Sequence, residues 1–299
     1  MNVNLIGVPL FFGSDIKGVD FGPEKLREKN IDKVITKNNH TVHDLGNIHI
    51  ENIPEDKKYN FHPNMKYLQP IVDVNTNLAQ QVYSSLATHS FPFIVGGDHS
   101  LGLGSISGAS KYYKNLAVIW VDAHGDINTP ETSPSGNIHG MPLAAAMGLG
   151  YKGLTNLYFE GTKVNPKNVF IIGVRDLDKG EEALIQDMDL NVYSTNDIKD
   201  RGIENILSEI YDILIHNNVD AVHLSFDIDC LDSKLVPGTG TPVKDGMTVT
   251  EAKYLLKYLM KTDLVKSLDF VELNSILDND DSTANLVIDL IDWTFKYLQ

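Results

Sequence analysis

LAVIWVDAHGDIN, residues 116–128, joins six consecutive apolar residues to a run in which Asp122, His124 and Asp126 occupy alternate positions. An apolar run of this length is typical of a strand covered on both faces, as in a parallel sheet flanked by helices. If the chain stays extended beyond the run, alternation places the three polar side chains on one side of the backbone. Carboxylates and imidazole that converge on one point either bind a metal ion or repel one another.

Similar apolar runs recur along the chain and alternate with stretches of helical periodicity. The predicted strands are residues 3–8, 91–95, 116–121, 168–174, 220–226 and 267–273, with a weaker candidate at 41–45. Amphipathic patterns predict helices over 72–90, 203–217 and 248–261. This alternation predicts an α/β fold with a mostly parallel, doubly wound sheet flanked by helices. No internal repeat or long linker interrupts the chain, so we expect residues 1–299 to form a single domain.

The composition argues against several classes of protein. A formal net charge of −15 disfavours binding to nucleic acid or to an anionic membrane surface, because few cations are available to neutralise phosphates. No apolar run approaches the ~18 residues that a membrane span needs, and the N-terminal MNVNLIGVPL does not have the pattern of a secretory signal. The single cysteine, Cys230, rules out an intrachain disulfide and suits a reducing compartment. We therefore expect a cytoplasmic protein whose partner is a small molecule.

Ligand-type side chains follow several predicted strands at their carboxyl ends, which is where open parallel sheets bind ligands. Asp98 and His99 follow the strand at 91–95, Asp227 and Asp229 follow the strand at 220–226, and Glu272 lies near the end of the strand at 267–273. Each residue alone has an ordinary structural explanation, since an aspartate after a strand often caps the next helix. Their coincidence on strands expected to be neighbours favours a metal site, because carboxylates buried together without cations repel one another.

The charge of the candidate ligands predicts the number of metal ions. The ligand set is His99, Asp122, His124, Asp126, Asp227 and Asp229. Its four carboxylates carry a charge that two divalent ions neutralise, and its histidines are neutral ligands. Oxygen-rich ligation with some imidazole and no thiolate favours Mn²⁺ over a structural Zn²⁺ site, while the affinity order also admits Zn²⁺, Co²⁺ or Fe²⁺. Two bridged ions activate a shared water as hydroxide, so the reaction type we expect is hydrolysis.

Three long segments resemble the signature segments of the ureohydrolase superfamily and occur in the same order. They are GGDHSLGLGSISG (96–108), DAHGDINTPETSPSGNIHG (122–140) and SFDIDCLDSKLVPGTGTP (225–242). The similarity extends to GVDFGPEKLR (18–27) and FVELNSILD (270–278), and it is greatest toward the bacterial arginases. The resemblance implies an arginase-like fold, a homo-trimer or homo-hexamer, and two Mn²⁺ ions per subunit. It also implies conversion of L-arginine to L-ornithine and urea, by attack of a metal-bridging hydroxide on the guanidinium carbon.

The same resemblance implies roles for individual residues. One manganese would be held by His99, Asp122, Asp126 and Asp227, and the other by His124, Asp122, Asp227 and Asp229, with Asp122 and Asp227 bridging. Asp98 would fix the loop instead of binding metal. The catalytic residues would be His139, which shuttles protons, Glu272, which binds the guanidinium group, and the metal ligand Asp126.

The polar loop after Asp126 is where we expect substrate specificity. The residues that resemble those binding the α-carboxylate of an amino acid are Asn128, Ser133, Ser135 and Asn137. Those that resemble residues facing its α-ammonium group are Asp178 and Glu181. Thr241 resembles a residue near the guanidinium group. Agmatine has no carboxylate and would leave the donors of this loop unpaired, which is a strong basis for discrimination.

Two departures from the family pattern keep alternative functions open. Cys230 stands where many arginases have glycine, and Ser233 stands where proline is usual; PGTGTP (237–242) is shared with agmatinase-like relatives. Cys230 is interpreted as a small filler residue. An agmatinase, a guanidinobutyrase or a formimidoylglutamase is therefore an alternative, as is a non-catalytic protein that binds basic amino acids. A metallophosphoesterase is disfavoured, because GNIH (136–139) matches the GNH[DE] segment of that class only in part.

Overall fold

Eight strands, each parallel to its neighbours, form one sheet at the centre of the computed structural model, which describes residues 1–299. The strands are β1 (Asn2–Val8), β2 (Thr41–Asn47), β3 (Phe91–Gly96), β4 (Leu116–Val121), β5 (Val169–Val174), β6 (Asn191–Ser194), β7 (Ala221–Asp227) and β8 (Val265–Val271). Their order across the sheet is β2-β1-β3-β8-β7-β4-β5-β6. The predicted α/β sheet is confirmed, and its pairing is parallel throughout.

Eleven α-helices connect and flank the strands. They are α1 (Gly22–Glu28), α2 (Ile31–Thr36), α3 (Leu68–Ala87), α4 (Gly102–Tyr112), α5 (Pro142–Ala146), α6 (Lys152–Thr155), α7 (Lys179–Met188), α8 (Thr195–Arg201), α9 (Ile203–His216), α10 (Val249–Met260) and α11 (Ser282–Tyr297). The helices predicted at 72–90, 203–217 and 248–261 correspond to α3, α9 and α10. None of the helices combines the length and the apolar composition that crossing a bilayer requires.

Helices cover both faces of the sheet, and the central strands divide their side chains between two apolar cores. In β4, Ile119 and Val121 enter a core of 43 buried residues shared with α9, α10 and α11. Val118 and Trp120 enter a second core of 39 buried residues shared with α3 and α4. Because successive side chains point to opposite faces and both faces are covered, the strand is apolar at every position.

Two features of the sheet differ from the expectations based on sequence. The edge strand β6 is absent from the predicted strands, because its four residues NVYS are too few to carry a periodic signal. We expected the strands that precede His99 and Asp227, which are β3 and β7, to be neighbours. Instead, β8 lies between them. β8 itself leads into Glu272, so the four consecutive strands β3-β8-β7-β4 present all the ligand-type side chains at one edge.

A close approach of two loops explains one glycine of the segment GGDHS. The Gly97 amide donates to the Val8 carbonyl at 2.9 Å, and the Asp98 amide donates to the Leu10 carbonyl at 2.8 Å. A Cβ atom at Gly97 would lie 1.8 Å from the Leu10 carbonyl oxygen. Only glycine therefore permits the loop after β3 to lie against the loop after β1, and this contact fixes the point at which His99 enters the site.

Candidate functional site

His99 and three aspartates form the first group of ligand-type side chains at the carboxyl edge of the sheet. His99 begins a short 3₁₀ helix, His99–Leu101, directly after β3. Its Nδ1 atom lies 2.8 Å from Asp122 Oδ2, 3.3 Å from Asp126 Oδ2 and 3.3 Å from Asp227 Oδ2. All four side chains are buried. Three different strands thus bring these residues to one point.

A second group shares Asp122 with the first. His124 Nδ1 lies 3.2 Å from Asp122 Oδ1 and 3.2 Å from Asp229 Oδ2. The two oxygens of Asp122 therefore face different histidines, and its carboxylate lies between the two groups. In each set of three, His99–Asp122–Asp227 and Asp122–His124–Asp229, the ligand atoms lie within 4.8 Å of one another.

The backbone around the groups orients the carboxylates. Asp122 Oδ1 accepts the amide N–H of His124 at 2.8 Å, and Asp227 Oδ1 accepts that of Asp229 at 2.8 Å, so each carboxylate closes a tight turn after its strand. Asp126 has a φ of 52° and Glu272 a φ of 66°. The left-handed region costs a residue with a side chain about 1–3 kcal/mol, and it persists only where the surrounding structure imposes it. Both of these residues direct a carboxylate into the site.

Burial and mutual repulsion perturb the pKa values of these carboxylates. Burial and repulsion from Asp122 raise the pKa of Asp126 to about 6. Burial and repulsion from Asp229 raise the pKa of Asp227 well above its ordinary value. Burial also disfavours ionisation of Asp122, but His124 and His99 outweigh this effect and hold its pKa well below the usual range. A divalent cation would relieve the repulsion that these shifts reflect.

Metal ions fit the cluster, because no lysine or arginine of the protein neutralises it. The four aspartates form ion pairs only with His99 and His124, and no lysine or arginine lies against them. The donor atoms are carboxylate oxygens and imidazole nitrogens in two overlapping groups, which could hold two ions. Such a donor set suits divalent metals of the first transition row.

Glu272 and His139 lie beside the first group. The Glu272 carboxylate accepts the His99 amide N–H at 2.9 Å through Oε1, which also lies 3.5 Å from His139 Nδ1. Its Oε2 atom is buried without a hydrogen-bond partner. Burial disfavours the charged form of His139, but Glu272, Asp126 and Asp98 outweigh burial and raise its pKa to about 9. The site therefore pairs a free carboxylate oxygen with an imidazole that holds a proton at neutral pH.

A polar pocket of about 150 Å³ opens above the two groups. Its lining residues are His124, Asp126, Asn128, Ser133, Ser135, Asn137, His139, Gly140, Asp176, Asp178, Glu181 and Thr241. The structure thus brings all the predicted substrate-binding residues of the loop and of α7 to one cavity, and Glu272 lies 3.5 Å from His139 of its lining. None of the twelve residues is hydrophobic, lysine or arginine. The pocket suits a cationic, hydrogen-bonding ligand.

Hydrogen bonds within the loop define which donors remain free. Ser133 Oγ accepts the Gly136 amide at 3.0 Å and Ser135 Oγ accepts the Asn137 amide at 3.2 Å, so both hydroxyl protons stay available to a ligand. The Asn128 amide group donates to Asp178 at 2.9 Å and accepts from Thr132 at 2.9 Å. Asn128 therefore joins the loop to the start of α7.

Glu181 lines the pocket, but its carboxylate contacts the chain's own backbone. Oε1 accepts the Ile127 amide at 3.1 Å, and Oε2 accepts the Asp178 amide at 2.9 Å as part of a capping box at the start of α7. Burial raises the pKa of Glu181 to about 7. The Thr241 hydroxyl is likewise engaged, since it donates to Asp229 Oδ2 at 3.0 Å.

Two residues outside the predicted set support the site. Arg175 donates to the carbonyls of Gly173, Asp229, Cys230, Leu231, Val243 and Lys244, and contacts no carboxylate. No sequence signal indicates such contacts, because every chain segment carries carbonyls. Asp176 lines the pocket beside the predicted Asp178, and the acidic pair RDLD is a signal that includes it.

Two residues with expected supporting roles are also located. Asp98 accepts the amides of Gly13 at 2.8 Å and Ser100 at 3.0 Å, which fixes the loop as the resemblance implies. The Cys230 side chain is fully buried in the apolar core shared with α10, in agreement with its interpretation as a filler residue.

Comparisons with known proteins agree along the whole chain. Residues 1–295 match the family model described as the Arginase family. An arginase from Bacillus subtilis (strain 168) is 40% identical over 292 residues, which are 97% of this chain and 96% of the relative. The crystal structure of arginase from Bacillus cereus has a TM-score of 0.92 at 40% identity and covers 99% of this chain and 98% of its own. An arginase from Entamoeba histolytica, in complex with L-ornithine, has a TM-score of 0.90 at 33% identity over 98% of each chain.

The parallel sheet and the acidic groups under a polar pocket define an α/β protein whose site could bind metal ions. Sequence identity near 40% over almost the full length then narrows the class. The chain belongs to the arginase family, within the ureohydrolases, and it is an arginase-type hydrolase.

Proposed function

We propose that the protein hydrolyses L-arginine to L-ornithine and urea with two Mn²⁺ ions per subunit. The observation that carries this proposal is the pair of ligand groups sharing Asp122, since a shared carboxylate favours two adjacent ions. The residues that would hold the ions are His99, Asp122, His124, Asp126, Asp227 and Asp229, and the resemblance implies that Asp122 and Asp227 would contribute to both positions. Oxygen-rich ligation with imidazole and without thiolate supports Mn²⁺. When bound, the ions supply Lewis acidity that makes water a nucleophile near neutral to alkaline pH.

Glu272 is proposed to bind the guanidinium group. Its unpartnered Oε2 atom is a buried acceptor, and a guanidinium group presents the N–H donors that satisfy it. A Cβ atom at Gly240 would lie 3.7 Å from this oxygen, so glycine leaves the space beside the carboxylate open. The substrate's charged group can therefore approach Glu272 from the side of Gly240.

His139 is proposed to deliver the proton that the leaving group needs. Hydrolysis breaks the bond between the guanidinium carbon and the side-chain nitrogen, and that nitrogen must gain a proton to leave as the amine of ornithine. A pKa of about 9 keeps His139 protonated at neutral pH. The His139 side chain is one-fifth exposed, so it can take up a new proton from solvent after each turnover.

The loop after Asp126 is proposed to select an amino acid. Ser133 and Ser135 retain free hydroxyl donors for an α-carboxylate. The side-chain amides of Asn128 and Asn137 donate to Asp178 and to the Ser14 carbonyl, and each keeps a second N–H for the same group. Asp178, with Glu181 behind it, provides negative charge for an α-ammonium group. Thr241, which donates to Asp229, lies near the guanidinium end. The complex of the Entamoeba histolytica arginase with L-ornithine supports an amino acid in this pocket.

Urea release from a panel of guanidino compounds in the presence of Mn²⁺ tests this function. L-arginine is expected to be the best substrate, and agmatine, which has no α-carboxylate, is expected to be poor. Ser135→Ala should raise the KM for arginine and leave the KM for agmatine unchanged, whereas Ser208→Ala on the exposed face of α9 is the matched control.

Other outcomes of the same experiment identify the alternatives. Faster release from agmatine or guanidinobutyrate, or release of formamide from formiminoglutamate, would show another amidinohydrolase. Absence of Mn²⁺ binding together with absence of urea would indicate a non-catalytic protein that binds basic amino acids.

We also propose that residues 1–299 act as one catalytic domain in a cytoplasmic homo-trimer or homo-hexamer. The single sheet supports one domain, and the resemblance to the bacterial arginases supports the assembly. Light scattering coupled to gel filtration measures the mass, and a monomer of 33.2 kDa would contradict it.

A further inference from the structure

A column of polar side chains runs between two central strands, behind the candidate metal ligands. β7 and β8 are paired in register, with His223 opposite Ser267 and Ser225 opposite Asp269. The exposed fractions of His223, Ser225 and Asp269 are 0%, and that of Ser267 is 1%. Since such strands are otherwise apolar on both faces, four adjacent polar residues here require an explanation.

Hydrogen bonds connect the column to His99. His223 lies 2.8 Å from Ser267 Oγ through Nδ1 and 3.0 Å from Asp269 Oδ2 through Nε2. The Ser225 hydroxyl donates to Asp269 Oδ2 at 3.3 Å. Ser225 Oγ also lies 2.8 Å from His99 Nε2. Asp269 therefore reaches His99 through one intervening hydroxyl group.

The single proton of Ser225 determines the direction of this chain of bonds. A carboxylate only accepts hydrogen bonds, so the hydroxyl proton of Ser225 points to Asp269. The oxygen of Ser225 is then left to accept the Nε2–H of His99. This tautomer leaves the lone pair of His99 Nδ1 directed at the group formed by Asp122, Asp126 and Asp227, as a metal ligand requires.

Stability alone does not account for the column. The Oδ1 atom of Asp269 is buried without a partner, and an unsatisfied buried acceptor costs about 1–3 kcal/mol. Apolar residues at these positions would avoid that cost. A role in orienting His99 accounts both for the retained carboxylate and for the end of the column at a candidate ligand.

We propose that Asp269 is a positioning residue that acts through Ser225 to hold His99 in the tautomer able to bind metal. The inference rests on the proposed function, because it requires the metal centre. Asp269 should affect only the affinity for the ion held by His99. The affinity for the ion held by His124, on the far side of Asp122, should not change.

Isothermal titration calorimetry of the full-length protein with Mn²⁺ measures the affinity of each metal site and tests the proposal. Asp269→Ala and Ser225→Ala are each expected to weaken one of two Mn²⁺ sites by about 10- to 100-fold, the usual effect of losing a partner of a metal ligand. The weakened site is identified as the one lost in His99→Ala and kept in His124→Ala. The double variant should lose no more than the single ones, since both changes break the same path. Ser267→Ala removes a buried hydroxyl outside the path and should keep native affinity.

Five results would overturn the proposal: unchanged affinity in Asp269→Ala, unchanged affinity in Ser225→Ala, equal weakening of both sites, multiplied losses in the double variant, or a similar loss in Ser267→Ala. If Asp269→Ala does not fold, Asp269→Asn takes its place, because asparagine keeps the size of the side chain and removes the charge that fixes the direction of the Ser225 proton. Native protein is titrated first. Failure of native protein to bind Mn²⁺ refutes the proposed function, whereas native binding with unaffected variants refutes only the role of Asp269.

Discussion

Arg175→Lys should destabilise the protein far more than a conservative exchange of cations at the surface. The guanidinium group of Arg175 contacts six carbonyls, at distances from 2.7 to 3.3 Å. They belong to the end of β5 and to two loops, residues 229–231 and 243–244. Both loops border the site, since one contains Asp229 and the other follows Thr241.

The geometry of the two side chains sets the magnitude. A lysine has three donors on one nitrogen, so it can reach at most three of the six carbonyls. Water can replace the contacts at the outer edge, because Arg175 is only half-buried. Two net losses at about 1.5 kcal/mol each, the lower value for hydrogen bonds to a charged group, predict a decrease of about 3 kcal/mol in the free energy of unfolding.

Chemical denaturation followed by circular dichroism, in a buffer with chelator, measures this change without a contribution from bound ligand. Arg201→Lys is the matched control: Arg201 is an exposed arginine with one ion pair to Glu209, and its loss should cost less than about 1 kcal/mol. If both variants lose the same small amount, the carbonyl contacts of Arg175 do not stabilise these loops and the reasoning fails.

Three further predictions concern the pocket and its supports. Because His139 loses its proton near pH 9, the kcat/KM of the native protein divided by that of His139→Asn should be constant below about pH 8 and decrease above pH 9. A quotient that rises with pH would contradict proton donation by His139. Gly240→Ala should raise the KM for arginine about tenfold or more, because the added methyl group fills the space beside Glu272. Thermal unfolding should be unchanged, since no atom lies closer than 3.6 Å to the added Cβ, and an unchanged KM would place the guanidinium group elsewhere. Gly97→Ala should lower the free energy of unfolding by about 1–3 kcal/mol, because its Cβ collides with the Leu10 carbonyl; native stability would show that the two loops can separate freely.

Local signals in the sequence were sufficient for the strands buried on both faces and for the ligand-type residues, but not for the short edge strand β6. A strand buried on both faces must be apolar at every position, and LAVIWV shows this directly. The carboxyl end of a parallel strand is also the place where polar side chains can meet a ligand. Asp122 and His124 could therefore be assigned to a site before any contact was known.

Other features depend on contacts between distant segments. The resemblance implies that Glu181 faces the α-ammonium group of a substrate, yet its two oxygens accept backbone amides from Ile127 and Asp178. His223 and Asp269 are 46 residues apart and form a pair only because β7 and β8 are adjacent. Neither contact leaves a periodic or spacing signal.

The sequence by itself determined the parallel α/β architecture, the strand-end ligands and the resemblance to the arginases, since each depends on residues close together in the chain. Only the tertiary structure decided that β8 lies between β3 and β7 and that Asp269 reaches His99 through Ser225. The physical reason is that strand order and interatomic distances follow from the packing of the whole sheet, and no single segment encodes them.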